Sequence, residues 1–333
     1  MPDVISLGEL LIDFVPTVSG VTLIQADAFK KAAGGAPANV AVGLAKLGVS
    51  SGFMGKVGDD AFGHFLAQTL QVQQVDIRGL RFSQDGRTCL AFVSLRADGE
   101  REFIFYRHRN QDLLLEFAPA EIDIDHIRAA HHFHFGSISL ITEPSRRATL
   151  LAVKTAQAAG LVISYDPNLR LNLWTNAETA KRGILSGWQY ANVIKVSEEE
   201  LAFLTDTDLI DIQNATRWQT AARKLWHSNL RLLVVTCGRA GCKYLTHEFY
   251  GDVPGFAVET IDTTGAGDGF VAGLLKGLRD AKRPIAECDE AQLRAICRYA
   301  NAVGAITTME RGAIPALPTA DQVEQFIKRF DVK

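Results

Sequence analysis

Short apolar runs alternate with helical segments along most of this chain, and this alternation constrains the fold more than any other feature. Residues 52–57 and 161–166 read as buried strands, whereas residues 61–72 and 177–188 have helical spacing of apolar side chains. Strands that alternate with helices indicate a parallel sheet with crossover connections. We therefore predict an α/β fold.

The composition supports a folded protein of moderate size. The chain has 333 residues, 47% of them hydrophobic and 22% charged, and a formal net charge of −3. This balance excludes a disordered chain and offers no general attraction for nucleic acid or an anionic membrane. No apolar run approaches the ~18 residues of a membrane span, and the odd number of cysteines favours a reducing compartment. We predict a cytoplasmic protein with neither nucleic acid nor membrane as a partner.

Two segments depart from this alternation. Residues 88–95 and 102–107 flank Ala97-Asp98-Gly99, a pattern typical of an antiparallel hairpin inserted into the α/β chain. Residues 4–15 read as one buried strand that runs into a loop, with Asp13 near the strand's end. The hairpin predicts a small sheet separate from the main one.

A glycine-rich turn precedes a helix near the C-terminal end of the chain. It contains Gly265-Ala266-Gly267, followed directly by Asp268 and preceded by Asp262 and Thr264. Small residues let the backbone approach a ligand, and N–H groups at a helix N-terminus attract anions. The turn therefore predicts a site for a phosphoryl group.

Asp268 is an unexpected residue at such a site, because its charge opposes an incoming anion. A carboxylate there is best explained as the acceptor of a proton from an attacking hydroxyl group. The helix N-terminus is expected to lower the pKa of this carboxyl and to make it a weak base. A weak base that accepts the proton late still suffices for a loose phosphoryl-transfer transition state.

A second glycine pair, Gly34-Gly35, stands before another helix, with Asn39 in the first turn. Paired glycines allow a ligand to lie against the main chain, and an amide both donates to and accepts from hydroxyl groups. Asp13 supplies a further acceptor. These groups are suited to a neutral polyol such as a sugar.

Together these segments resemble the ribokinase-like carbohydrate kinases of the phosphofructokinase-B type, and among them the fructokinases. The segment from Gly34 to Asn39 matches the first signature of the family, and residues 262–273 (DTTGAGDGFVAG) match the second. Softer fructokinase-like features are residues 8–14, 105–107, 166–170 and 312–318. The resemblance covers nearly the whole chain.

The resemblance implies a single domain over residues 1–333, with a Rossmann-like parallel-sheet body, helices on both faces, and a small β-sheet lid inserted at about 15–33 and 87–110. It also implies phosphorylation of a sugar by ATP, most plausibly of fructose to fructose 6-phosphate. The residues implied in catalysis are Asp268 as base and Gly265, Ala266 and Gly267 as anion hole. Those implied in sugar binding are Asp13, Gly34, Gly35, Asn39, Arg107 and Arg170.

Further positions are implied to border the nucleotide and its ions. The nucleotide-bordering residues are Lys195, Glu200, Thr236, Gly238, Gly241 and Asn301. Glu200 belongs to a motif that the family links to Mg²⁺ and phosphate. Asp262 and Thr264 match a region that binds a monovalent cation in some relatives, so K⁺ is a candidate second ion.

Alternatives are left open by the residues. Relatives that act on ribose, 2-keto-3-deoxygluconate or an aminoimidazole riboside share the same signatures, and a catalytically silent sugar-binding regulator would keep the fold. A dehydrogenase or a P-loop enzyme is disfavoured, because neither a G-x-G-x-x-G turn after the first strand nor a Walker loop is present. An exposed apolar lid also suggests a homodimer that pairs lid against lid.

Overall fold

A computed structural model describes residues 1–18, 20–95, 101–106, 117–214 and 216–331. In chain order the strands formed by these residues are β1 (Val4–Leu7), β2 (Leu11–Pro16), β3 (Phe29–Gly34), β4 (Ser51–Gly58), β5 (Asp76–Ser83), β6 (Leu90–Leu95), β7 (Arg101–Tyr106), β8 (His132–Gly136), β9 (Val162–Asp166), β10 (Val193–Ser197), β11 (Leu232–Thr236), β12 (Gly241–Leu245) and β13 (Tyr250–Pro254).

The α-helices formed by the same residues are α1 (Ala36–Lys46), α2 (Ala61–Val72), α3 (Ile124–Arg128), α4 (Ser145–Ala158), α5 (Ala177–Trp188), α6 (Glu198–Thr205), α7 (Leu209–Gln213), α8 (Trp218–Lys224), α9 (Ala266–Asp280), α10 (Glu290–Thr307), α11 (Ala313–Ala316) and α12 (Ala320–Asp331). Among the described residues, no helix combines the length and the apolar character that a membrane crossing requires.

Among the described residues, nine strands form the large sheet, in the order β13-β12-β11-β10-β9-β8-β1-β4-β5. Its seven strands from β11 to β5 run parallel, and β12 and β13 extend it in antiparallel fashion. Alternate residues of β1 enter different cores, because Ile5 packs with α4 and α5 while Val4 packs with α1 and α9. The predicted parallel-sheet body with helices on both faces is confirmed.

Four strands form a separate small sheet, in the order β3-β2-β6-β7. The β2–β3 and β6–β7 pairs are antiparallel, whereas β2 and β6 are parallel. Aromatic rings join the strands to each other and to α2, since Phe14 stacks on Phe92 at 5.0 Å and meets Phe62 edge-on at 5.9 Å. This sheet is the predicted lid.

The prediction of a single strand over residues 4–15 was wrong. The chain leaves the large sheet after β1 and enters the small sheet as β2, with the break at Gly8. Gly8 has φ +156°, and a side chain there would lie 2.5 Å from Cγ of Pro37 in α1. Asp13 therefore lies within the lid, paired with Ala32 of β3, and not near the end of a strand of the large sheet.

The lid is tied to the body where β4 ends and α2 begins. Asp60 caps α2 through the N–H groups of Phe62 and Gly63, and it also accepts bonds from the N–H (2.9 Å) and hydroxyl (2.8 Å) of Thr88. Thr88 lies just before Cys89 and the lid strand β6, which continues to β7. This junction fixes the position at which the second half of the lid leaves the body.

Candidate active site

A pocket lies at the carboxyl ends of the parallel strands, beneath the lid. The strand order changes direction around β1, and ligands of open α/β sheets bind in the crevice at such a point. Leu11 and Phe105 of the lid line its upper side. The predicted site residues that line the pocket are Asp13, Gly35, Asn39, Arg170, Lys195, Thr264, Gly265, Gly267 and Asp268.

Asp268 lies in the first turn of α9 and is 7% exposed. The Nδ2 atom of Asn39, in the first turn of α1, donates a 2.8 Å hydrogen bond to its Oδ2 atom. The two signature segments, 229 residues apart, therefore meet at one carboxylate. Asn39 thus orients Asp268, a role additional to the sugar contact that the sequence suggested.

The expectation that the helix N-terminus lowers the pKa of Asp268 was wrong. Burial raises this pKa to about 7, while the hydrogen bond from Asn39 and the charges of Lys195 and Arg170 oppose the rise. Desolvation outweighs the local dipole because the carboxyl is almost completely removed from water. A carboxyl with this pKa is a competent base near neutral pH.

The glycine turn has the geometry that an anion site requires. Gly265 caps α9 with φ +79°, and a methyl group there would lie 2.6 Å from Cβ of Ala313. N–H groups in the first turn of a helix have no acceptor within that helix, so those of Gly267 and Asp268 point toward the pocket end of α9. The N–H of Ala266 donates to the carbonyl of Thr263 at 3.3 Å and is partly engaged within the turn.

The groups suited to a sugar lie opposite this turn. Burial raises the pKa of Asp13 to about 7, with Arg170 opposing the rise and Asp268 adding to it. Gly34 packs directly against the Asp13 carboxylate, because a side chain on Gly34 would overlap Oδ2 of Asp13. Gly35 has φ +113° and lies against the carbonyl of Glu9. These contacts leave Asp13 facing the pocket.

Asp166 and Lys195 form a buried ion pair in the same pocket. Lys195 Nζ lies 3.1 Å from Oδ2 of Asp166 and 3.4 Å from Oδ1. Glu200 stands behind this pair, where its carboxylate accepts the N–H of Leu169 at 2.6 Å and that of Ser197 at 2.8 Å. Burial raises the pKa of Glu200. Glu200 therefore ties α6 to the turn that follows β9.

The other nucleotide-bordering candidates lie beyond this pocket, along the sheet. Thr236 ends β11, Gly238 follows it, and Gly241 begins β12 with φ +105°. The amide of Asn301 donates to the carbonyls of Val253 (3.1 Å) and Pro254 (3.2 Å), so it anchors the end of β13. The structure brings these candidates to the same end of the large sheet as Lys195.

Asp262 and Thr264 form a compact turn next to the pocket. Asp262 Oδ1 accepts from the N–H (2.9 Å) and hydroxyl (2.7 Å) of Thr264, and Oδ2 accepts from the N–H of Gly312 at 3.0 Å. Among the described residues, no group of three or more His, Cys, Asp or Glu side chains is placed to hold a metal. Arg107, predicted near the sugar, lies outside the described residues.

Several pocket residues were missed as site candidates, among them three with polar side chains at or just after strand ends. Asp166, the last residue of β9, and Asn168, in the turn that follows, line the pocket, and Asn168 has φ +46°. A left-handed conformation of a residue other than glycine is costly and concentrates at functional sites. Glu9 lines the pocket as well and accepts the N–H of Ala36 at 3.0 Å. Polar residues at or just after the ends of the first and fifth parallel strands of the chain, β1 and β9, were the available signal.

The parallel sheet, the small lid and the pocket between them define a ribokinase-like enzyme fold. A family model described as pfkB family carbohydrate kinase matches residues 1–320, so this chain belongs to that family. Its predicted membership of the family is thereby confirmed.

Relatives and solved structures agree with this assignment. The chain is 54% identical over 325 residues to Fructokinase-2 of Solanum habrochaites, with 98% of this chain and 96% of the relative covered. Fructokinase with bound ATP from Xylella fastidiosa superposes with a TM-score of 0.87 at 33% identity, covering 99% of this chain and 100% of that one. Fructokinase from Vibrio cholerae O395, in a form with fructose, ADP and calcium bound, gives 0.84 at 34% identity, covering 98% and 99%.

Proposed function

We propose that this protein transfers the γ-phosphoryl group of ATP to fructose, at the primary 6-hydroxyl. The observation that carries the proposal is the buried Asp268, held by Asn39 beside the glycine turn of α9. The high identity to a fructokinase supports fructose as the sugar. A solved relative with fructose and ADP bound, and another with ATP bound, support a site for this sugar and this nucleotide.

In the proposed reaction, Asp13, Gly35 and Arg170 hold the sugar so that its hydroxyl meets Asp268. The hydroxyl oxygen forms a bond to the γ-phosphorus while the bond to the β–γ bridging oxygen breaks, and ADP leaves. The hydroxyl proton passes to Asp268. The N–H groups at the start of α9 bind the negative charge on the phosphoryl oxygens. The lid excludes water, which would otherwise compete with the sugar for ATP.

We also propose Mg²⁺ as the metal that accompanies ATP. The donor set suits an ion held mainly by the nucleotide phosphates, because Mg²⁺ usually binds proteins through one or two carboxylates plus substrate phosphates. Glu200, whose carboxylate oxygens also accept the N–H groups of Leu169 and Ser197, is the residue that would contact this ion. Bound Mg²⁺ supplies neutralising charge to the phosphates. Asp262 and Thr264 are the proposed region for K⁺.

A sugar panel tests the proposed substrate. Purified protein is mixed with ATP, Mg²⁺ and one sugar at a time, ADP release is followed, and the phosphorylated position is assigned by ³¹P–¹H NMR. We expect fructose to give the highest kcat/KM and fructose 6-phosphate as product. Higher kcat/KM with ribose, 2-keto-3-deoxygluconate or an aminoimidazole riboside would replace fructose. No turnover with any of these sugars would favour the silent regulator.

The pH dependence of kcat/KM tests the role of Asp268. A base must be ionised to accept a proton, so activity should be present above its pKa and lost below it. With the pKa raised to about 7, we expect the acidic limb near pH 7 and not near pH 4. Asn39→Ala should move the limb to higher pH, because it removes a hydrogen bond that favours the ionised form. A profile that is flat down to pH 5 would contradict this.

A homodimer through the lid is the proposed assembly. The lid and its connections expose Val18 (64%), Ile24 (94%), Ile104 (43%) and Tyr106 (65%). Exposed apolar side chains on a small sheet and its connections favour burial against a second copy. Light scattering at working concentration should give a mass of two chains, and a monomer mass would count against it.

The free cysteines favour a reducing compartment, so we propose the cytoplasm.

A further inference from the structure

Lys46, the last residue of α1, binds a segment of the chain that is far from it in sequence. Its Nζ atom donates to the carbonyls of Ile314 (2.8 Å), Pro315 (3.4 Å) and Leu317 (2.8 Å). An ammonium group has three N–H donors, so three carbonyls match its full capacity. Lys46 therefore holds α11, together with the residue that follows it, from a single point.

The short helix α11 needs a donor from outside itself. The last four carbonyls of any helix have no partner within that helix, and α11 has only four residues. The N–H of Leu317 donates to the carbonyl of Ala313 at 3.2 Å, and Lys46 binds the carbonyls of the next two residues. A lysine at the C-terminal end of a helix also offsets the negative end of the helix dipole. Lys46 thus stabilises a helix that is too short to stabilise itself.

α11 is the wall against which the glycine turn of α9 packs. A methyl group on Gly265 would lie 2.9 Å from Cα of Ala313 as well as 2.6 Å from its Cβ. The N–H of Gly312, one residue earlier, donates to Oδ2 of Asp262 at 3.0 Å, and Asp262 in turn accepts the N–H and hydroxyl of Thr264. A displacement of α11 would therefore displace the turn through two separate contacts.

Apolar contacts hold the same segment close to both signature helices. Cδ2 of Leu317 would lie 3.5 Å from a methyl group on Gly43 in α1 and 3.3 Å from one on Gly269 in α9. Ile314 and Leu317 belong to the core that also contains Val42. Apolar burial has no preferred direction, whereas hydrogen bonds to carbonyls fix where the backbone lies. Loss of the ammonium should therefore loosen the wall while the core stays packed.

We propose that Lys46 is a positioning residue for phosphoryl transfer, because it holds α11 against the glycine turn and so fixes the N–H groups of that turn. This inference rests on the proposed phosphotransfer and adds to it a residue that acts through another segment of the chain. An anion hole is effective because its donors already point to the place where charge develops. A misplacement of about 1 Å is enough to cost roughly 10²-fold in rate.

Lys46→Met tests the proposal, because it keeps the apolar stem of the side chain and removes the ammonium. We expect kcat with fructose to fall by about 10–10²-fold, while the KM for fructose stays within about threefold. The assay is run well below the Tm of the variant, and circular dichroism gives the folded fraction to which kcat is referred. An unchanged kcat of the folded variant would overturn the proposal.

The affinity for a phosphoryl mimic reports on the glycine turn without turnover. Aluminium fluoride added with ADP, Mg²⁺ and fructose imitates the phosphoryl group during its transfer, and the Kd of this complex is measured by calorimetry. We expect Lys46→Met to raise that Kd by about tenfold or more, whereas the Kd for ADP alone stays within about threefold. Equal weakening of both would overturn the proposal, because a general structural defect would not distinguish them.

Lys46→Arg is the conservative variant. A guanidinium group can also donate to carbonyls at the end of a helix, so we expect kcat to stay within about threefold of the wild type. A kcat as low as that of Lys46→Met, in an Arg variant with wild-type Tm, would contradict a role that depends on these hydrogen bonds.

Lys243→Met is the matched control. Nζ of Lys243 donates to the carbonyls of Ile212 (2.9 Å) and Gln213 (3.4 Å), which are the last two residues of another short helix, α7. Of the described residues, those that line the pocket include none from α7. We expect a lower Tm, with kcat within about threefold. A kcat loss equal to that of Lys46→Met would assign the effect to the loss of any such lysine and overturn the proposal.

Ala313→Gly provides a second arm should Lys46→Met fail to fold. It keeps Lys46 and removes the methyl group that packs on Gly265, so we expect a kcat loss of about tenfold. Where both variants fold, the double variant should lose less than the product of the two single losses, because both act through the same contact. Full activity of Ala313→Gly, or losses that simply multiply, would overturn the proposal.

The proposed function fails in a different way. A wild-type protein that does not phosphorylate fructose counts against the proposed substrate, and the same variants are then compared with the sugar that it does phosphorylate. The role of Lys46 is decided by the ratio of variant to wild type with that sugar.

Discussion

Asp268→Asn should lower kcat by about 10²–10⁴-fold, the usual contribution of a positioned general base. The amide keeps the shape of the side chain and can still accept the hydrogen bond from Asn39. It cannot accept the proton of the sugar hydroxyl group. The KM for fructose should change by less than about threefold, because the sugar is held mainly by Asp13, Gly35 and Arg170. Steady-state kinetics with fructose and ATP measure both quantities.

The same substitution should raise the thermal stability. Folding moves the pKa of Asp268 from 3.8 to about 7, so the folded state binds this proton more tightly than the unfolded state. The contribution of this bound proton to the free energy of unfolding is lost as pH rises from 4 to 7. Above pH 7 Asp268 is ionised in the folded state, and its buried charge lowers the free energy of unfolding by the full amount. The gain in Tm on replacement should therefore be larger at pH 8 than at pH 5.

Asp280→Asn, at the exposed end of α9, is the control for this experiment. Asp280 pairs with Lys276 on the helix surface. We expect its replacement to leave kcat within about twofold and to change Tm little. An Asp268→Asn protein with turnover within a few-fold of the wild type would show that another group accepts the proton.

Gly265→Ala should lower kcat/KM by about 10²–10³-fold, the cost of losing one donor of an anion hole. Gly265 has φ +79°, which disfavours any side chain, and the new methyl group would lie 2.6 Å from Cβ of Ala313. The turn must shift to relieve that contact, and the N–H groups at the start of α9 shift with it. Kinetics and a thermal melt together measure the effect.

Gly48→Ala is the control for backbone strain, because it introduces a similar strain without displacing the glycine turn of α9. Gly48 follows α1 with φ +81°, nearly that of Gly265, and an added methyl group would meet nothing within 4 Å. Because the backbone strain is similar, this variant should also have a lower Tm, but its kcat/KM should be unchanged. If both variants lose only stability and retain full activity, the glycine turn does not bind the phosphoryl group.

Much of the fold follows from local pattern. The segment over α2 was predicted with the observed ends, because Asp60 precedes it as a cap and the apolar period is regular. The break at Gly8 was missed because residues 4–15 keep the same apolar texture on both sides of it. The change of sheet depends on strand pairings with residues distant in sequence, since β1 pairs with β4 and β8 while β2 pairs with β3 and β6.

The candidate site was predictable to the extent that its residues lie in the two signatures. Asp268 and Asn39 could each be named from the sequence, but their hydrogen bond depends on how α1 and α9 pack. The raised pKa of Asp268 likewise depends on burial, which is a property of the assembled pocket. The Asp166–Lys195 pair was missed as a unit because neighbouring strands bring it together across 29 residues.

The most direct test of the account is a crystal structure with AMP-PNP, Mg²⁺ and fructose bound. We predict that the γ-phosphoryl group lies against the N–H groups between Gly265 and Asp268, and that the 6-hydroxyl of fructose lies within hydrogen-bond distance of an Asp268 oxygen. A γ-phosphoryl group bound away from that turn, or a fructose molecule whose hydroxyl groups do not reach Asp268, would contradict it.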